Sequence, residues 1–148
     1  MIQLIQKSIL ISAPVSRVWE YLTVPEFMTQ WMGDPEMEIE IISDWKVGSH
    51  FIVRGFHHVH FENHGKILQL ETNNIFQYSH LSSLSELPNQ PENHTIITFG
   101  VEKSGDNQTL LTVHTANFPT EAIYKHWEFY WNGTMKLIKM KIEKGKVE

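Results

Sequence analysis

ILISAPVSRVWEYLTVPEFMTQW, residues 9–31, is the stretch whose reading decides the fold. It holds the end of a strand, a proline-started helix, a break and a second proline-started helix. Pro14 and Pro25 each suit the first turn of a helix, where a backbone N–H has no intrahelical acceptor. Val15, Val18, Trp19 and Leu22 follow at i, i+3, i+4 and i+7, which gives a helix over 14–23 one apolar face. Phe27, Met28, Trp31 and Met32 repeat the pattern over 25–32. Outside this stretch the chain is mostly β.

Upstream, residues 2–11 alternate as a strand. Downstream, Gly33-Asp34-Pro35 is a break. Strand-like runs then follow at 37–43, 49–56, 58–62, 65–71 and 74–81, and residues 82–93 form a loop rich in Ser, Pro and Asn. Two more strands, 95–103 and 109–115, are joined by the hairpin turn Ser104-Gly105-Asp106-Asn107. The last element, 120–144, is a long helix. Ile123, Trp127, Tyr130, Trp131, Thr134, Leu137, Ile138 and Ile142 collect on one broad face of it. Thr120 is its expected N-cap and Gly145 its expected stop. The order is β-αα-β(six or seven)-α, with no repeat and no linker, so residues 1–148 are expected to form one domain.

A chain of 148 residues can bury a core without staples. It has no cysteine, which excludes disulfides, thiolate metal sites and cysteine nucleophiles, and fits a reducing cytoplasm. The apolar N-terminus is too short to span a membrane and lacks the basic start and cleavage site of a secretory signal. A net charge of −5, with arginine only at 17 and 54, argues against a nucleic-acid partner. Basic residues gather from Lys125 onward, but interleaved glutamates make that a solvated helix face. Nine histidines would carry the formal charge from −5 to +4 if all were protonated, so charge near pH 6 depends strongly on pH.

Several local motifs resemble the helix-grip, START-like (SRPBCC) superfamily, and within it the activator of heat-shock-protein ATPase homologue group. Ala13-Pro14, Val18-Trp19, Leu22-Thr23, Pro25-Glu26 and Trp31 match the group's opening. Gly65-Lys66-Ile67-Leu68 matches its Gly-basic-aliphatic strand, and Thr109-Leu110-Leu111-Thr112-Val113 its late strand. Trp127 or Trp131 fills the place of a Trp in the closing helix. Trp31-Met32-Gly33-Asp34 departs from the group's doubled Trp and Gly-Pro, and a histidine common after the late strand is replaced by Thr115 or shifted to His114. The resemblance implies an α+β helix-grip fold: a curved antiparallel sheet of six or seven strands around a long C-terminal helix, with two short helices after the first strand. It also implies a cavity between helix and sheet.

The residues for chemistry are few. His57, His58, His60 and His64 fall within one short segment, with His58 and His60 on one side of a strand. Without a thiolate, and with only Glu62 as a nearby carboxylate, solvent-facing histidines are the better reading and no metal is expected. Glu36, Glu38 and Glu40 alternate as a solvated strand edge, and Arg54 reads as outward and paired with an acid. No nucleophile elbow or metalloprotease motif occurs, so no catalytic residue and no cofactor is assigned. The aromatic set offers more. The expected cavity wall is Trp31, Phe51, Val53, Tyr78, Phe99, Val101, Trp127, Tyr130 and Trp131, with His80, Tyr78 and His114 as polar groups.

The expected function is therefore binding of a small hydrophobic or aromatic molecule in that cavity. One rival is a co-chaperone or protein-interaction module, with a protein partner or a homodimer. The other is a cyclase- or hydrolase-type enzyme, which requires a His–carboxylate pair in the cavity.

Overall fold

The protein is described by a computed structural model covering residues 3–145. Strand β1 (Leu4–Ile11) leads into α1 (Val15–Thr23) and α2 (Pro25–Met32). Strands β2 (Glu40–Ser43), β3 (Phe51–His57), β4 (Val59–His64), β5 (Ile67–Glu71), β6 (Ile75–Ser82), β7 (Thr95–Lys103) and β8 (Thr109–Ala116) follow, then α3 (Glu121–Gly145). This is the α+β helix-grip fold: an antiparallel sheet, two short helices after its first strand, and a long closing helix. The sheet has eight strands, ordered β1-β8-β7-β6-β4-β3-β2, with short β5 paired to β6 beside that path. Short β5 is the run read from the sequence at 65–71.

Local chemistry explains the helical opening. Pro14 stays extended ahead of α1, and Val24 serves both as the C-cap of α1 and the N-cap of α2. A single extended residue between two helices forces a sharp turn. The Trp31 indole N–H then donates to the Tyr21 carbonyl at 2.8 Å, tying α2 back onto α1. The α3 start is capped as expected, with Thr120 Oγ1 accepting from the Ile123 N–H at 3.1 Å. The residues after Gly145, where the helix was expected to stop, and Ile2 at the start of the first strand lie outside the described residues.

Three boundaries differ from the pattern reading. The run 37–43 becomes a strand only at Glu40, because Pro35 opens a 3-10 turn and Glu38 adopts a left-handed φ of 49°. Glu36 and Glu38 are thus exposed turn residues. His58 is no strand residue: at φ 66° it forms the turn between β3 and β4, where His57 pairs with Val59. The loop 82–93 carries two 3-10 turns, the first capped by the Ser82 hydroxyl.

β6 is where the sheet divides. On one side β7 and β8 pair along eight register positions, as do β1 and β8. On the other side β4 meets β6 only at Asn63–Ser82 and His64–Leu81. Between β4 and β5 the chain is gripped from both flanks. The Phe51 N–H donates to the Gly65 carbonyl at 2.9 Å, and the Ser79 N–H donates to the Lys66 carbonyl at 3.0 Å. A Cβ on Gly65 would lie 1.7 Å from the Ser79 carbonyl oxygen, so only glycine fits this crease.

The inner face of the sheet carries Ile5, Ile11, Ile97, Phe99, Leu111 and Val113, all buried against Trp131, Met135, Ile138 and Ile142 of α3. Their strict alternation is the period of a half-buried strand. Ile42, Leu68 and Leu110 point away from this core and keep part of their surface in solvent.

Replacing Gly65 by Ala forces backbone to move and should lower unfolding stability by about 3 kcal/mol. Gly133 is exposed in α3, with nothing near a would-be Cβ. Gly133→Ala should therefore raise stability by roughly 0.5–1 kcal/mol, as for a helix-interior glycine. Urea midpoints of the two variants, measured beside the wild type, check both signs.

Candidate functional site

Where the two halves of the sheet part, the side chains under the first turns of α3 do not meet those of the sheet. The result is a pocket of about 210 Å³. β3 and β6 make its floor with Phe51, Val53 and Tyr78, and α3 makes its roof with Trp127 and Tyr130. Trp31 and Met32 of α2, and Met37 and Ile39 of the segment before β2, close one side. Asn63 and His64 of β4 form the other. The rings meet at steep angles: Phe51 and Tyr78 are 4.6 Å apart at 50°, and Trp127 and Tyr130 are 5.4 Å apart at 84°.

Six of the nine residues expected to line a cavity share this wall: Trp31, Phe51, Val53, Tyr78, Trp127 and Tyr130. The other three are core. Phe99 is fully buried, edge-on to Trp31 at 6.0 Å and to Trp131 at 5.6 Å. Trp131 donates its indole N–H to Thr115 Oγ1 at 2.8 Å, and Val101 packs in the body of the sheet opposite Leu111. The reason is one helical turn: Trp127 lies over the gap between the sheet halves, whereas Trp131 lies over the continuous β7–β8 ladder.

His80 lines the pocket, but His114 does not. His114 sits on the outer face, since its neighbours Val113 and Thr115 point inward. Arg54 lies outside as well, its Nε donating to Glu40 Oε1 at 2.7 Å across β2 and β3. His57, His58 and His60 are exposed, and among the described residues no group of three or more metal-capable side chains converges. No helix of the described residues is long and apolar enough to cross a membrane.

Sequence reasoning missed Met32, Met37, Ile39, Phe61, Asn63, His64, Ser79 and His126. Met37 and Ile39 were hidden by the assumption of a continuous strand there. Phe61 and Asn63 carry no sequence signal, because their place depends on where β4 leaves β6. His126 was findable, since it precedes Trp127 at the start of the aromatic cluster. A second, more open pocket of about 400 Å³ shares Phe61, His80, His126 and Trp127 with the first and extends to Leu84 and Ile123.

The pocket under α3 has hydroxyl, amide and imidazole groups, but no Asp, Glu, Lys or Arg in its wall. Burial raises the Tyr78 phenol well above its ordinary value, and the neighbouring Tyr130 adds to this. Burial also pushes Tyr130 up to about 12, while its hydrogen bond with Thr134 pulls the other way. Tyr78 is 5% exposed, and its hydroxyl has no hydrogen-bond partner among the described residues. His80 lies 5.0 Å from Trp127, edge to face. Its imidazole is lowered to about 4, first by burial and then by His126, with His94 adding a smaller push. Burial lowers His126 too. Both rings are neutral at pH 7.

A helix-grip fold with a pocket under the closing helix defines the class. The family described as Activator of Hsp90 ATPase homolog 1-like protein matches residues 12–143, and the chain belongs to it. A Cytophaga hutchinsonii protein known from its solution structure is 31% identical, with a TM-score of 0.79 over 99% of this chain and 97% of that one. The crystal structure of a Chromobacterium violaceum protein reaches the same TM-score, 0.79, at 18% identity, covering 95% of this chain and 96% of that one. The solution structure of the Aha1 dimer from Colwellia psychrerythraea is 23% identical, with a TM-score of 0.74 over 97% of this chain and 98% of that one. No protein with a curated description matches the chain in sequence.

Two outcomes follow from this geometry. Trp131 is core, so Trp131→Ala should cost about 3–5 kcal/mol in urea unfolding. His80 takes up its proton near 6.5 when unfolded and near 4 when folded, so between these values the unfolded chain binds more protons. Its contribution is complete above about pH 6.5 and is lost as pH falls toward 4, by up to roughly 3 kcal/mol. His80→Leu should flatten the stability–pH profile across that window, leaving the smaller slope due to His126 and His94.

Proposed function

We propose that the protein binds a small hydrophobic or aromatic molecule in the pocket between β3, β6 and the start of α3. The observation that carries this reading is the pocket's composition: aromatic walls from α2, β3, β4, β6 and α3, with the Tyr78 hydroxyl among them bonded to no other described residue. Pockets for small molecules combine mostly apolar walls with a few placed polar groups in this way. The membership of the family supports the fold-level part of the argument, and the residues of this wall carry the rest.

A hydrolase or cyclase reading has one observation in its favour. His64 lines the pocket and its Nε2 lies 3.0 Å from Glu62 Oε1. Both side chains are about 40% exposed, so the pair sits at the solvent rim. The Ser79 hydroxyl, which also lines the pocket, accepts from the Lys66 N–H at 2.9 Å. Binding is the stronger reading.

The test is a titration with N-phenyl-1-naphthylamine, a neutral apolar fluorophore, on wild type and on Val53→Trp, which fills the floor. Wild type should bind saturably, and the filled variant at least about tenfold more weakly. At ten times its Kd the dye should add about 1.4 kcal/mol, or roughly 3–6 °C in melting temperature. Equal binding in both forms, or none in either, removes the support for this function. The reading then moves to a protein-interaction module, for which Phe129, 82% exposed on α3, is the surface to examine.

A further inference from the structure

We propose that the ligand is an uncharged, planar aromatic molecule bearing a carbonyl oxygen that accepts a hydrogen bond from the Tyr78 hydroxyl. This rests on the pocket being a binding site, and names what that site selects.

Shape argues for a flat ring system. Phe51 and Tyr78 below, Trp127 and Tyr130 above, and Trp31 at the side present aromatic faces and edges from both layers. Flat rings fill such a space in offset or edge-to-face contact better than a flexible chain does. The volume of about 210 Å³ exceeds the roughly 150 Å³ cavity that accepts benzene, which leaves room for fused rings with a small substituent.

Charge argues for a neutral molecule. No side chain of fixed charge lines the wall, so a carboxylate or an ammonium would lose its hydration without gaining a counter-charge. The imidazoles nearest the roof, His80 and His126, are both pushed toward their neutral forms. His64, at the rim, already has Glu62 as its partner.

Hydrogen bonding argues for an acceptor. Of the two phenols in the wall, Tyr130 has Thr134, whereas Tyr78 has no partner among the described residues. Tyr78 lines the pocket and its hydroxyl is not sealed from it, so a molecule lying there can supply the acceptor. Burial keeps Tyr78 protonated, which leaves it an O–H to donate. A carbonyl oxygen on an aromatic system accepts that hydrogen bond while remaining uncharged and in plane with the rings.

The test compares three probes of one skeleton: 2-acetonaphthone, 2-ethylnaphthalene, in which a methylene replaces the carbonyl, and 2-naphthoate. Binding at pH 7.5 is followed by quenching of tryptophan fluorescence in wild type, Tyr78→Phe and Tyr130→Phe, each first shown to keep its melting temperature within a few degrees. Tyr78→Phe should weaken the ketone by about fivefold to tenfold while leaving the hydrocarbon within about twofold, as for loss of one hydrogen bond. Tyr130→Phe should leave the ketone within about twofold, and naphthoate should bind wild type at least about tenfold more weakly than the ketone.

Equal effects of Tyr78→Phe on ketone and hydrocarbon overturn the carbonyl assignment. Loss of the ketone in Tyr130→Phe overturns the choice of hydroxyl, and naphthoate binding as tightly as the ketone overturns neutrality. In each of these cases hydrocarbon binding to wild type still supports the pocket. If none of the three probes binds wild type, the binding site itself fails, and this inference with it.

Discussion

Gly65 lies so close to Ser79 that no other residue can stand there, and the rest of the architecture depends on that contact. Its backbone is held from one side by the Phe51 N–H, while Lys66 beside it exchanges hydrogen bonds with Ser79 on the other. A side chain would push β4 and β5 away from β6 and separate the β2-β3-β4 ladder from the remainder of the sheet. With glycine the two ladders stay joined at a narrow crease. They diverge on either side of it, because sheets that bend sharply need an irregular residue at the corner.

The divergence creates the pocket. A single closing helix can lie flat on only one ladder. α3 lies on β1, β7 and β8, where Ile138, Ile142 and Met135 bury completely or nearly so. Trp131 is locked there by its indole N–H, which donates to Thr115 Oγ1. One turn toward the N-terminus, the helix passes over the gap, and Trp127 and Tyr130 become a roof with little beneath them. The helix is thus structural over its second half and a candidate binding wall over its first.

The same division sorts the histidines. His57, His58 and His60 sit at the exposed β3–β4 tip. His80 and His126 each pack against Trp127, where burial lowers both and His126 lowers His80 further. Residue type was therefore a poor guide to importance among the nine. Three of the four clustered histidines face solvent, whereas His64, His80 and His126 line the pocket.

Most of the fold was legible from local chemistry. Pro14 and Pro25 start helices, apolar residues at helical spacing define their buried faces, and alternation along 95–103 and 109–115 marks strands with one face inside. These are short-range constraints of backbone sterics and side-chain period, so they act within a few residues and leave a readable pattern. Positive φ at Glu38 and His58 left no such pattern, because nothing local favours the left-handed region there, and those two boundaries were misplaced. The site was legible only in part. Its aromatic character could be read, but alternation alone does not tell Phe99, sealed in the core, from Phe51, open to the pocket. That difference, and the arrival of Met37, Phe61 and His126 beside Tyr78, depends on where the two ladders part. Their parting is set by the contact of Gly65 with Ser79, residues fourteen positions apart, and contacts of that range exist only once the chain has folded.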